Sequence, residues 1–219
     1  MIGKLLSLTA VLGSLLASGV AARAYPDAVS VTLTVSVFND AAAPPEVLLT
    51  AQNRAVFIMR QAGVSLAWLD CGTPGNRPLN SGCDAISFPQ HFSIRLISQA
   101  GSASDDTFGQ CFQDANGAGN YAVVYFRTLQ SSKAARTVNV GELLGHVVAH
   151  ELGHLLLGLN SHSPAGLMMA SWQAPELYQA VRGNLLFTRA EADRMRSRYM
   201  VASARRGKTS EGLPASSGN

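Results

Sequence analysis

The chain has 219 residues, of which 47% are hydrophobic and 14% charged, and its formal net charge is +3. A balance so near neutrality gives no electrostatic footprint for nucleic acid, and no run beyond the first two dozen residues is long and apolar enough to span a bilayer. The composition fits one globular domain with a sizeable core.

Lys4, an apolar run over residues 5–20 and the small-residue step Ala22-Arg23-Ala24 have the layout of a secretory signal peptide cleaved after Ala24. Gly13, Ser14, Ser18 and Gly19 interrupt the run, which favours a cleaved signal over a membrane anchor. Removing Lys4 and Arg23 leaves a mature net charge of +1. The expected organisation is a signal peptide at 1–24, one domain at 25–201 and a Ser/Gly/Lys/Arg-rich disordered tail at 202–219, in a secreted or periplasmic protein.

Val29, Val31, Leu33, Val35 and Val37 alternate with other residues, predicting a half-buried strand over 29–38. Pro44-Pro45 opens a helix whose apolar stripe is Val47, Ala51, Ala55, Ile58 and Ala62, and Gly63 ends it. Residues 64–69 return as a second strand, which should lie parallel to the first. Further strands are predicted at 93–98, 107–112 and 121–126, making five before the long helix that follows. Thr188-Arg-Ala-Glu191 is a capping box starting a C-terminal helix with Ala192, Met195 and Tyr199 on one face. No secondary structure is assigned around Pro175 and Glu176.

Three cysteines allow three single bridges, and an exported chain can form one. Cys71–Cys83 closes the shortest loop at the least closure entropy, leaving Cys111 as a buried free thiol.

The chemistry concentrates in His150-Glu151-Leu152-Gly153-His154. Residues four apart share a helix face, so His150 and His154 can aim ring nitrogens at one zinc ion, with Glu151 placed to take a proton from water. Asn139 can cap this helix, and Glu142 can reach back to the cap's N–H. A catalytic zinc takes a third protein ligand. His162 would lie about 12 Å past His154 on a straight helix, so the chain must turn back, and Gly158 is suited to turn it. His146 is one turn too early to join both later histidines and has valine where the base should be, so it falls at the rim or behind the ligands.

These residues resemble the metzincin clan of zinc endopeptidases, whose signature is H-E-x-x-H-x-x-G-x-x-H followed by a methionine turn. His150, Glu151, His154, Gly158, His162 and Met168 match its elements in order, with one extra residue before Gly158 and one after it. Ala170 stands where the clan often has a tyrosine. The resemblance implies an α/β (α+β) fold: a twisted mixed sheet of about five strands, a backing helix, the zinc helix and a C-terminal helix. The fourth strand would be an antiparallel edge that pairs with extended peptide substrate. It also implies one catalytic Zn2+ on His150, His154 and His162, with Glu151 as general base and Met168 in the turn. Two alternatives stand beside a secreted zinc endopeptidase: a catalytically silent zinc- or substrate-binding module, and a zinc peptidase whose third ligand is Glu176.

Overall fold

The alternation around Val31 builds β1 (Val31–Asn39), from which the sheet grows in both directions. The computed structural model describes residues 31–77, 82–98 and 107–210; the expected signal peptide and the last nine residues of the expected tail lie outside them. The sheet order is β2-β1-β3-β5-β4, with β2 (Val64–Asp70), β3 (His91–Ile97), β4 (Gly109–Phe112) and β5 (Tyr121–Tyr125). Every neighbouring pair is parallel except β4 and β5, where β4 forms an antiparallel edge with Gly109 opposite Val124 and Phe112 opposite Tyr121. The mixed five-strand sheet, with its strand-helix-strand opening, is the expected architecture. Strand ends differ by a few residues, and Phe126 leaves β5 to begin the unforeseen short helix α2 (Phe126–Ser131).

β1 is half-buried only over its first residues. Ser36 and Phe38, on what should be the solvent side, are buried because a loop closes over them. That loop is tied by the Cys71–Cys83 disulfide, whose Cα atoms are 5.9 Å apart. Phe38 packs with both half-cystines, while the Ser36 hydroxyl lies 3.2 Å from the Cys83 carbonyl and 2.8 Å from His91 Nε2.

The backing helix α1 (Pro45–Gln61) buries Ala51, Ala55, Ile58 and Met59. Against it lies α3 (Val140–Leu157), which is buried around most of its circumference, as an apolar helix must be. Two glycines let the helices approach: a Cβ at Gly141 would stand 2.7 Å from Thr50 Cβ, and one at Gly145 would stand 2.6 Å from the Ala51 carbonyl. Asn139 caps α3, its Oδ1 accepting from the N–H of Gly141 (2.9 Å) and Glu142 (3.3 Å). Glu142 does not reach back to the cap. It pairs with Arg54 of α1, where a guanidinium offers a charge-assisted bond that a single N–H does not.

α4 (Ala174–Val181) occupies the segment left unassigned, and α5 (Arg189–Ser210) closes the domain from the predicted capping box. Glu191 Oε2 accepts from Thr188 N at 2.7 Å. α5 continues to Ser210, so residues 202–210 of the segment expected as a tail are helical. Ala202, Ala204, Arg205 and Arg206 are good helix formers, and Arg206 donates to the Phe88 carbonyl at 3.3 Å.

Replacing Cys71 and Cys83 by serine should lower unfolding free energy by about 3 kcal/mol, from the entropy of the released loop. Urea denaturation of oxidised wild type beside the double variant measures it; coincident midpoints would show that the bridge contributes nothing to stability.

Candidate metal centre

α3 ends at Gly158, whose φ of 85° is a backbone conformation that side chains with a Cβ resist. A Cβ there would also stand 2.7 Å from the Arg198 guanidinium. Arg198 instead donates through Nε to the Leu156 carbonyl at 3.0 Å, placing a cation at the helix's negative end. Gln113, just past β4, donates to the His154 carbonyl at 2.6 Å. The chain then reverses and brings His162 back over the helix face.

The reversal gathers His150, His154 and His162 so that one ring nitrogen from each lies within 4.8 Å of the others. Ring centroids are 4.6 Å apart for His150–His154 and His154–His162, and 5.5 Å for His150–His162. His150 is buried, His154 half-buried and His162 exposed. His150 Nδ1 lies 2.8 Å from the Leu167 carbonyl, which can only accept, so Nδ1 carries the proton and Nε2 keeps a free lone pair. His154 Nδ1 shares a 2.7 Å hydrogen bond with Ser161 Oγ, inside the return loop. The two Nε2 atoms face each other at 2.9 Å. Burial holds His150 down at about 4 and, with its imidazole neighbours, His154 at about 3, so both rings are neutral near pH 7. Three convergent imidazoles, two of them held neutral and one with its outer nitrogen tied to a carbonyl, fit a zinc ion.

Glu151 points from the same helix toward β4. Its Oε2 is buried with no hydrogen-bond partner among the described residues. Burial pushes its carboxyl up to about 8. A nearby cation would act in the opposite direction. The seat is a glycine: a Cβ at Gly109 would stand 2.6 Å from Glu151 Oε1. Cys111, two residues along β4, is the free thiol; it is half-buried rather than buried, and burial plus the Glu151 charge push it up to about 11. A thiol so hard to ionise is a poor nucleophile at neutral pH.

Met168 is fully buried beneath the cluster. A Cβ at Gly153 would stand 2.6 Å from Met168 Sδ, so the glycine before His154 admits the methionine. His146 is not among the converging imidazoles. It is fully buried, its Nδ1 2.7 Å from the Glu142 carbonyl and its ring edge-on to Trp172 at 6.3 Å. Glu176, the alternative ligand, is committed elsewhere: its Oε2 accepts from Gln173 N at 2.9 Å, capping α4. Tyr178 is exposed and bonded to Arg182. Three residues escaped the sequence reading. Ser161 orients His154; Gly109 seats Glu151; Trp172 Nε1 donates at 3.1 Å to the same Leu167 carbonyl that holds His150. Only Gly109 carried a signal, since a glycine within a strand marks close approach.

The cluster opens into a cleft of about 1320 Å³, bordered by β4, α2 and the turn after it, the histidine-bearing side of α3 and residues 169–174.

No protein-family model matches the chain, and no curated protein does. Solved structures are similar to it. Archaemetzincin from Methanopyrus kandleri is 18% identical, with 76% of this chain and 95% of that one covered at a TM-score of 0.48. A zinc-dependent peptidase from Methanocorpusculum labreanum is 13% identical, covering 74% and 99% at 0.48. Metalloproteinase-II from Bacteroides fragilis is 13% identical, covering 80% and 55% at 0.48.

Glu151 generates a stability prediction. With its folded value raised to about 8 from an ordinary 4.5, the metal-free protein takes up a proton on folding between those values. Wild-type stability is therefore fully present below pH 4.5 and falls as pH rises toward 8. Metal-free Glu151→Gln should be the more stable protein, by a margin growing through that window to about 5 kcal/mol, and then level. Denaturation midpoints from pH 5 to about 9 measure this; a margin independent of pH would contradict it.

Proposed function

We propose that this chain is an exported zinc-dependent endopeptidase. The observation that carries the reading is the joint placement of three converging imidazoles and one buried, unpartnered carboxyl at the edge of a sheet. Held by His150, His154 and His162, zinc would polarise the scissile carbonyl and lower the pKa of an attacking water toward about 7.

The remaining chemistry belongs to the protein. Glu151 Oε2, free of internal partners, takes the proton from the attacking water and hands it to the leaving amine. Its seat against Gly109 sets it directly below the strand on which a substrate backbone would lie. β4 is an edge strand, so its outward N–H and C=O groups are available to pair with an extended peptide. Leu167, through its carbonyl, keeps His150 in the tautomer that presents Nε2, and Ser161 orients His154. Met168 fills the space beneath them and serves as the floor of the turn. A silent binding module has no use for a buried carboxyl beside the imidazoles, and Glu176 is occupied as a cap.

Export rests on the leader-like residues 1–24, and the Cys71–Cys83 bridge is in keeping with an oxidising compartment. Intact mass of protein recovered from the exported fraction should correspond to a chain starting at Tyr25; a chain retaining Met1 would contradict cleavage.

Replacing Glu151 by Gln keeps the shape of the side chain and removes the base. Wild type should cleave unstructured protein substrates, and Glu151→Gln should lose about 10²-fold or more in kcat/KM. Equal activity in the two proteins would end the general-base reading.

A further inference from the structure

The cleft wall formed by α2 and the turn after it is charged in one sense only. Among the described residues lining the cleft, Arg127 and Lys133 are the only Lys or Arg, and the only acid is Glu151, buried at the floor. Neither cation belongs to any of the ion pairs found among the described residues. The backbone beneath them is pinned. Arg127 N donates to the Ser98 carbonyl at 3.0 Å, and the Ser131 hydroxyl donates to the Arg127 carbonyl at 2.9 Å. Ser132 Oγ donates to the Leu129 carbonyl at 2.7 Å and accepts from Ala135 N at 3.2 Å, bracketing Lys133.

Sheet register gives this wall a direction. Gly109, the seat of Glu151, pairs with Val124 next to the end of β5, where α2 begins; Phe112 lies at the other end, opposite Tyr121. A peptide antiparallel to β4 therefore runs from Phe112 toward Gly109 and carries its C-terminal portion beyond Glu151 toward Arg127 and Lys133. We propose that these two residues select a substrate carboxylate on the C-terminal side of the cleaved bond. The inference rests on the peptidase reading and names the substrate class for that same site.

The carboxylate can come from an Asp or Glu side chain or from the peptide's own C-terminus, and a matched peptide set separates the two. Each peptide carries Asp, Glu, Ala or Lys at successive positions after the scissile bond, and each is made as free acid and as amide. At low salt the wild type should show kcat/KM about tenfold higher for carboxylate-bearing peptides than for their Ala-amide counterparts, shrinking to about twofold near 0.5 M NaCl as the charges are screened. Preference within the amides identifies the side chain; preference for free acids alone identifies the terminus. Arg127→Gln combined with Lys133→Gln should bring the ratio to about one, and Lys133→Glu alone should turn it toward Lys peptides. A ratio of one in a wild type that cleaves the set, a ratio surviving in the double variant, or a preference on the N-terminal side would overturn the inference while leaving the peptidase reading intact. Cleavage of no peptide would overturn both.

Discussion

The reversal at Gly158 is the constraint on which the rest of the molecule depends. Two imidazoles four residues apart come from any helix, but a third from the same short stretch requires the chain to leave the helix axis within a few residues. A φ of 85° accomplishes this. The groups around the turn then fix it from three directions: Arg198 from α5 on the Leu156 carbonyl, Gln113 from beyond β4 on the His154 carbonyl, and Ser161 from within the loop on His154 itself. Of the two residues added relative to the metzincin signature, one lies before Gly158, in the last turn of α3, and one in the loop between Gly158 and His162, where Ser161 braces His154.

The site opposes stability as well as depending on it. Burying Glu151 without a partner raises its carboxyl to about 8. Its relief is a positive charge at the point where the imidazoles converge. The core carries the cost in the meantime. α3 is embedded between α1 and the sheet, with Leu143, Leu144, Leu152, Leu155 and Leu156 almost wholly buried, so the helix cannot tilt to hydrate its carboxylate.

What was legible in the sequence is what local spacing determines. The paired histidines, the glutamate between them, the glycine turn, the Asn139 cap and the shortest cysteine loop all follow from chain geometry over a dozen residues or fewer. The misses are contacts made across the fold. Glu142 was expected at its own helix cap and binds Arg54, 88 residues away in sequence. Gly109 meets Glu151 only once β4 lies beside α3, and Trp172 shares the Leu167 carbonyl only after the return loop has closed. α4 begins with Gln173, an infrequent capping residue, so its reciprocal bond with Glu176 was hidden in an ordinary-looking segment. Composition also does not register that α5 runs on past residue 201, where Arg206 has a carbonyl to bind.

Zinc content of the purified mature protein, measured by elemental analysis beside His162→Ala, bears most directly on the centre as a whole. One zinc per chain in the wild type, lost or greatly weakened in the variant while folding is preserved, is the result the three-imidazole account predicts. A wild type that binds no zinc, or a variant that binds it undiminished, would contradict it.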